Sequence, residues 1–103
     1  MSATNTTLNP GDISSPTVAL SAATVDTVTF GDDCDMIEVF TTDGAAAISF
    51  TTDGSTPTAG AKNTYYVPAS AGSALEVSVP TSGKTVVKLV STGTPSYRVT
   101  RTA

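Results

Sequence analysis

The sequence predicts an all-β protein, a single antiparallel β-sandwich of seven to eight short strands. Three observations support this prediction. The 103 residues include 20 threonines and 12 serines but only 14% charged residues, and the β-branched threonine suits a pleated, half-exposed surface better than a helix. Apolar and polar residues alternate with a period of two. Gly, Pro and Asp-Gly turn signals separate these stretches at intervals of about ten residues, as in sandwiches and barrels.

The chain begins with a polar stretch that has no such alternation. Residues 1–16 (MSATNTTLNPGDISSP) contain only isolated apolar residues among Ser, Thr, Asn, Pro and Gly. We expect residues 1–16 to form an extended arm, disordered or laid against a neighbouring molecule, and residues 17–103 to form the sandwich domain. In such an arm Leu8, Pro10 and Ile13 are the expected anchors on a partner.

The alternation then predicts the strands in order. Ile37 with Val39, Ile48 with Phe50, and Tyr97 with Val99 are expected to face inward, and so are Leu75, Val77 and Val79. The strand that begins at Thr85 is the longest apolar run and is expected to be central, after a turn at 81–84. The predicted strands cover residues 17–20, 25–30, 36–40, 47–50, 65–67, 75–79, 85–90 and 97–101.

The pentapeptide FTTDG occurs twice, at 40–44 and at 50–54. Asp-Gly after an apolar alternation is a strong turn signal, since Asp caps nearby amides and Gly accepts a positive φ. This interpretation predicts a hairpin of the strands at 36–40 and 47–50. The alternative is a calcium site that uses Asp43 and Asp53, alone or with Asp32, Asp33 and Asp35. Ca²⁺ needs six to eight oxygen ligands, however, and the two turns would lie at opposite ends of that hairpin. Turns are therefore the favoured interpretation, and no metal or cofactor is predicted.

The second copy carries a resemblance to a known family. The stretch ISFTTDGSTPT (48–58), followed by Tyr65 and Pro68, resembles the immunoglobulin-like domains appended to chitobiases and other carbohydrate enzymes. The resemblance covers about 20 residues and implies an Ig-like sandwich that acts as a spacer. It also leaves open a carbohydrate-binding or adhesin-like module, in which the loop after the strand would form the site. The residues expected to contact a ligand or partner there are Asp53, Ser55, Thr56, Tyr65 and Tyr66.

A second resemblance concerns the whole chain. In length, composition and layout, and in the stretch TVVKLVSTGTPSYRVT (85–100), the chain is similar to small structural proteins of tailed bacteriophages. The string TTDGAA (41–46) also occurs in a lambda-type head decoration protein. The resemblance implies a capsid decoration or cement protein on the phage head, made in the host cytoplasm, with the major capsid protein and copies of itself, such as a trimer, as partners. A tail-tube or head–tail connector subunit is a further alternative.

The composition disfavours several other functions. The net charge is −4, and only five Lys and Arg residues are present, whereas binding to nucleic acid depends on clusters of basic side chains. The chain has no His, which leaves no Ser-His-Asp or Cys-His catalysis and no His-based zinc site, so no enzyme is predicted. No apolar run approaches the roughly 20 residues of a membrane span, the start does not resemble a signal peptide, and the single Cys34 cannot form an intrachain disulfide.

Overall fold

The computed structural model describes residues 3–79 and 85–103, and the predicted turn at 81–84 lies outside them. Nine β-strands and no helix occur in these two ranges, which confirms the all-β prediction. Eight of the strands correspond to the predicted ones, and one precedes them within the first 16 residues. The strands are β1 (Asn5–Thr7), β2 (Val18–Ala19), β3 (Asp26–Thr29), β4 (Met36–Thr41), β5 (Ile48–Thr51), β6 (Tyr65–Val67), β7 (Ala74–Ser78), β8 (Val86–Val90) and β9 (Ser96–Arg101).

The strands form the two sheets of a sandwich. One sheet has five strands in the order β1-β3-β8-β5-β6, and the other has four in the order β2-β9-β4-β7. Every pair is antiparallel except β1 with β3. The strand β8 lies in the middle of the five-stranded sheet, so the prediction of a central strand there is confirmed.

Period-two alternation places one apolar row of each sheet in a common core. On β4 and β9, Ile37, Val39, Tyr97 and Val99 are fully buried, and their sequence neighbours are half-buried. On β7, Val77 is buried, Leu75 and Val79 pack against the core, and the residues between them are exposed. The burial of these side chains supplies the main stabilisation of the fold, about 1.5–3 kcal/mol for each large apolar side chain.

The predicted hairpin of β4 and β5 does not form, because the two strands belong to different sheets. Residues 42–47 instead cross from one sheet to the other at the end of the sandwich. All four residues of β5, Ile48 to Thr51, are buried, because the loop that follows β5 covers the strand's outer face. There the amide of Gly60 donates to the Ser49 hydroxyl (2.9 Å) and the Thr51 hydroxyl donates to the Ser55 carbonyl (2.6 Å).

The first 16 residues, predicted as an extended arm, pair along the domain in their described part. The N-terminal segment, residues 4–19, lies along the edges of both sheets of its own domain. Its first part is β1, which pairs with β3, and its second part runs beside β9, with the Ser15 amide donating to the Val99 carbonyl (2.9 Å) and the Arg101 amide donating to the Ile13 carbonyl (2.7 Å). The segment therefore closes one lateral side of the sandwich, while β6 and β7 form the other side.

Candidate functional site

The first Asp-Gly turn locks the loop after β4 to the start of β9. The carboxylate of Asp43 accepts hydrogen bonds from the amides of Ala45 (3.2 Å) and Ser96 (3.1 Å). The Thr41 hydroxyl accepts from the Gly44 amide (3.0 Å) and donates to the Ser96 carbonyl (3.0 Å). The amide of Ala45, and after it that of Ser96, holds the pKa of Asp43 below its ordinary value. The carboxylate thus has a structural role in this turn.

The second Asp-Gly turn is closed by different partners. Asp53 accepts hydrogen bonds from the hydroxyl and the amide of Ser55. Both bonds lower the pKa of Asp53, and the bond from the hydroxyl contributes more. The two copies of FTTDG therefore encode two turns with the same local chemistry, one in the crossing between sheets and one after β5. Among residues 3–79 and 85–103, no three His, Cys, Asp or Glu side chains come close enough to hold a metal ion.

The three predicted anchors of the N-terminal arm have different environments. Leu8 is only 8% exposed and belongs to the core, where its amide also donates to the Thr29 carbonyl (2.8 Å). Its side chain is therefore enclosed by this domain rather than offered to a partner. Pro10 is exposed and passes directly over Gly31. Ile13 is 68% exposed, although its backbone is bonded to β9, so its apolar side chain points into solvent.

The loop after β5 and the start of β6 enclose a polar cleft of about 260 Å³. Tyr65 forms one wall of this cleft, and its ring lies 5.3 Å from the ring of the buried Phe50 in a tilted arrangement. The ring is still 41% exposed, so one part of it is fixed by packing and another part faces the cleft. The cleft is lined by Thr51, Thr52, Asp53, Lys62, Asn63, Thr64 and Tyr65.

The structure brings together two of the five residues predicted for the ligand loop, Asp53 and Tyr65. Ser55 reaches the cleft only through its hydrogen bonds to Asp53, and Thr56 is exposed outside the cleft lining. Tyr66 is 54% exposed and lines a different, smaller cleft of about 170 Å³ beside Ala47 and Thr92. This separation follows from strand geometry, since adjacent residues of β6 point to opposite faces of the sheet.

A buried carboxylate that sequence reasoning missed joins the two sheets to the N-terminal segment. Asp26 on β3 is 1% exposed; it accepts a hydrogen bond from the Tyr97 hydroxyl (3.0 Å) on β9 and another from the Thr4 amide (2.9 Å). Burial, and then the charge of Asp26, raises the pKa of Tyr97 above its ordinary value of 10.0. An acidic residue at an inward position of the predicted strand 25–30 was the signal that could have revealed this contact.

Cys34 is buried, and it belongs to a second cluster that was not predicted. Arg101 donates from Nε to the Cys34 sulfur (3.1 Å) and forms a salt bridge with Asp32, while its guanidinium lies 5.8 Å from the centre of the Phe30 ring. The hydrogen bond from Arg101 lowers the pKa of Asp32. The hydrogen bond to Asp32, and after it the one to Cys34, raises the pKa of Arg101. The cluster fixes the end of β9 against the turn at 31–35.

Comparisons with known proteins add to the description of the fold. No protein-family model and no curated protein matches the sequence. Among solved structures, the chain is similar to PliG from Aeromonas hydrophila, a periplasmic lysozyme inhibitor of g-type lysozyme, with a TM-score of 0.55, 12% identity, and coverage of 95% of this chain and 96% of that one. At this identity the likeness shows the fold alone.

A second solved structure is the pre-peptidase C-terminal domain of collagenase from Bacillus anthracis. It has a TM-score of 0.45 and 14% identity, and covers 95% of this chain and 92% of that one.

In the described part of the chain, no helix has the length and apolar character that crossing a membrane requires. The fold is a β-sandwich whose two sheets are joined by buried apolar side chains and by the Asp26–Tyr97 hydrogen bond.

Proposed function

We propose that this chain is a structural protein of a bacteriophage virion, a decoration protein that binds the assembled head and stabilises it. The proposal is supported by the resemblance of the chain to small phage structural proteins. Many copies, each binding with modest affinity, stabilise a shell because every bound copy favours the assembled state by mass action. The partners in this proposal are the major capsid protein and neighbouring copies of the chain.

The observation that carries this proposal is the chemistry of one sheet face. The outer face over β1, β3 and β8 presents hydroxyl, amide and apolar side chains, and one of its six positions is charged, below the roughly 25–35% charge at which soluble surfaces are designed. Immobilising Lys or Glu in a contact costs up to about 2 kcal/mol of side-chain entropy, and threonine loses less because it has few rotamers. The face is formed by Asn5, Thr7, Thr27, Thr29, Val86 and Lys88.

The experiment that tests this function begins with particles. Virions from the source of the chain should contain it, and electron microscopy should show its density on the head; density on the tail would support the tail-tube or connector alternative instead. The chain is then added to heads that lack it. Thr27→Glu should weaken sedimentation with heads, while Thr17→Glu, an exposed position outside this face, should bind normally. Absence of the chain from virions would refute the proposal.

A second candidate function, a carbohydrate-binding module, is favoured by the cleft beside Tyr65. Its lining combines an aromatic ring with hydroxyl, amide, carboxylate and ammonium groups, the set that saccharide hydroxyls and ring faces need. A glycan array distinguishes the candidates. Specific binding that is lost in Tyr65→Ala and retained in Tyr66→Ala, which alters the separate cleft, would establish this second function. The absence of any specific binding on the array would refute this second function.

A further inference from the structure

The lateral side of the sandwich formed by β6 and β7 presents an open strand edge. In residues 3–79 and 85–103, the strand β7 pairs with β4 alone. The amide of Val79 donates to the Asp35 carbonyl (2.9 Å), and the amide of Thr41 donates to the Ser73 carbonyl (3.0 Å). Since antiparallel strands alternate hydrogen-bonded and non-hydrogen-bonded pairs, the odd-numbered residues of β7 direct their N–H and C=O groups towards β4. The even-numbered ones, Ala74, Glu76 and Ser78, direct theirs away from the sheet.

The opposite side of the same sandwich is closed by the chain itself. There the N-terminal segment lies along β3 and β9 and supplies backbone partners for the outer edge of each of these two strands. Within the described residues, no backbone group takes the same position beside Ala74, Glu76 and Ser78. Unpaired edge groups of this kind are a template for another strand. The neighbouring edge strand β6 is only three residues long, so β7 offers the longer run.

An acidic pair marks the outer face next to this edge. Glu76 on β7 lies directly opposite Glu38 on β4, in a non-hydrogen-bonded pair, where facing side chains approach closely. Like charges in this position are unfavourable unless a cation lies between them. Arg98, on the neighbouring strand β9, is directed the other way, since its guanidinium donates to the Ser15 carbonyl (3.3 Å) and the Ser14 hydroxyl (3.1 Å). A basic side chain from outside would complement the two carboxylates.

We propose that β7 is a docking edge that accepts an extended segment of a partner protein with a Lys or Arg opposite Glu76. Main-chain hydrogen bonds to Ala74, Glu76 and Ser78 would add the segment as a fifth strand, and the cation would neutralise the Glu38–Glu76 pair. This inference extends the proposed virion function. It rests on that function only in taking the partner protein to be a component of the virion. The docking edge lies on the lateral side opposite β1, so a decoration protein with both surfaces could bridge two neighbours.

A second copy of this chain is a poorer occupant of the same edge. If two β7 strands paired antiparallel about Glu76, the two Glu76 side chains would face each other beside two further carboxylates of Glu38. Cross-strand like charges destabilise a pair by an amount comparable to the roughly 0.2–1 kcal/mol that favourable pairs contribute. The acidic pair thus selects against pairing between copies as well as for a basic partner strand.

A peptide titration tests the docking edge without any virion. The isotope-labelled full chain is titrated with the peptide TKTKTKT, whose lysines share one face of a strand, and with the matched peptide TETETET. The amide resonances of residues 74–78 should shift with the lysine peptide, and the glutamate peptide should bind at least about threefold more weakly, as expected for replacing a favourable cross-strand pair by a repulsive one. Added salt should reduce this difference.

Two variant pairs complete the experiment. Ser78→Pro removes an outward N–H and fills its place with the proline ring, a change that edge strands tolerate, and should weaken the lysine peptide about tenfold, which is the loss of one hydrogen bond together with the steric block. Ser78→Ala keeps the N–H and should bind normally. Glu76→Gln should abolish the preference for lysine over glutamate while leaving the backbone pairing in place.

Three outcomes would overturn the inference: no shifts at residues 74–78, equal affinity for the two peptides, or normal binding by Ser78→Pro. A doubling of molecular mass with concentration that Ser78→Pro abolishes would assign the edge to a second copy and would also overturn it. Failure of the proposed virion function is distinguishable, because it would appear as absence of the chain from particles while the peptide titration still succeeded.

Discussion

The two copies of FTTDG allow the cost of a close backbone contact to be separated from the cost of an unusual backbone conformation. Gly44 and Gly54 occupy equivalent positions in the motif, and both have a positive φ, +66° and +83°. A Cβ added at Gly54 would meet nothing within 4 Å. A Cβ added at Gly44 would overlap the backbone of Ser70 and Ala71, which real Cβ atoms do not approach so closely.

The expected losses of stability follow from these two environments. An alanine with positive φ costs about 1–2 kcal/mol, and this is the full effect expected for Gly54→Ala. At Gly44 the loop at 70–73 must also move away, and forcing extra atoms into a packed site typically costs about 1–3 kcal/mol more. Gly44→Ala should therefore lose about 2–5 kcal/mol. For a domain of this size each kcal/mol corresponds to roughly 4–8 °C in the unfolding midpoint.

Urea unfolding of the wild type and both variants, followed by circular dichroism in the far ultraviolet, measures the two losses directly. The expected result is a larger fall in the midpoint for Gly44→Ala than for Gly54→Ala, at an unchanged slope. Equal losses would refute the reasoning, because they would mean that the contact of Gly44 with Ser70 and Ala71 contributes nothing. A larger loss at Gly54 would contradict the assignment of the two turns.

Three further predictions concern buried contacts and pH. Tyr97→Phe leaves the buried carboxylate of Asp26 without one donor and should cost about 1–3 kcal/mol of unfolding free energy. Since the folded-state pKa of Tyr97 is raised above its ordinary value of 10.0, wild-type stability should fall as the pH rises above 10, and less so in that variant. Gly31→Ala, which would drive a Cβ into the N-terminal segment, should speed amide exchange in residues 4–15 more than elsewhere. Because the folded-state pKa of Asp43 is lowered from 3.8, its stabilisation is complete above that pH and is lost below it, so acid unfolding should be shallower for Asp43→Asn.

The strands were predictable wherever burial alternates strictly along one chain segment. On β9, Tyr97 and Val99 are buried and the residues between them are half-exposed, so the inward face could be read from residue type alone. The same alternation does not say to which sheet a strand belongs. For that reason β4 and β5 were predicted as a hairpin, although the turn at Asp43 carries the chain across to the other sheet.

The first strand could not be predicted, because it contains no apolar residue. The residues of β1, Asn5 to Thr7, pair with β3 through backbone hydrogen bonds in a parallel register. Neither the backbone pairing nor the parallel register produces a hydrophobic periodicity in the sequence. The burial of Leu8, next to β1, has the same cause: a single apolar residue in a polar stretch can be a core residue once the backbone around it is paired.

The sequence predicted only the part of the candidate site that depends on local contacts. Asp53 and Tyr65 lie on either side of one loop, and the pairing of β5 with β6 necessarily brings the two ends of that loop together. Contacts between distant segments leave no such signal. Asp26 and Tyr97 are 71 positions apart, and the sequence shows only that each is a polar group at an inward position.

The positions of β8 and β9 determine when during synthesis this protein can fold. Before β8 leaves the ribosome, β1 with β3 and β5 with β6 are two separate strand pairs. Before β9 leaves it, β2 has no neighbour in its sheet and the stretch at 13–15 has no backbone partners. The residues of β2 and the stretch at 13–15 therefore remain unpaired until β9 has been synthesised, and the four-stranded sheet cannot be complete before then.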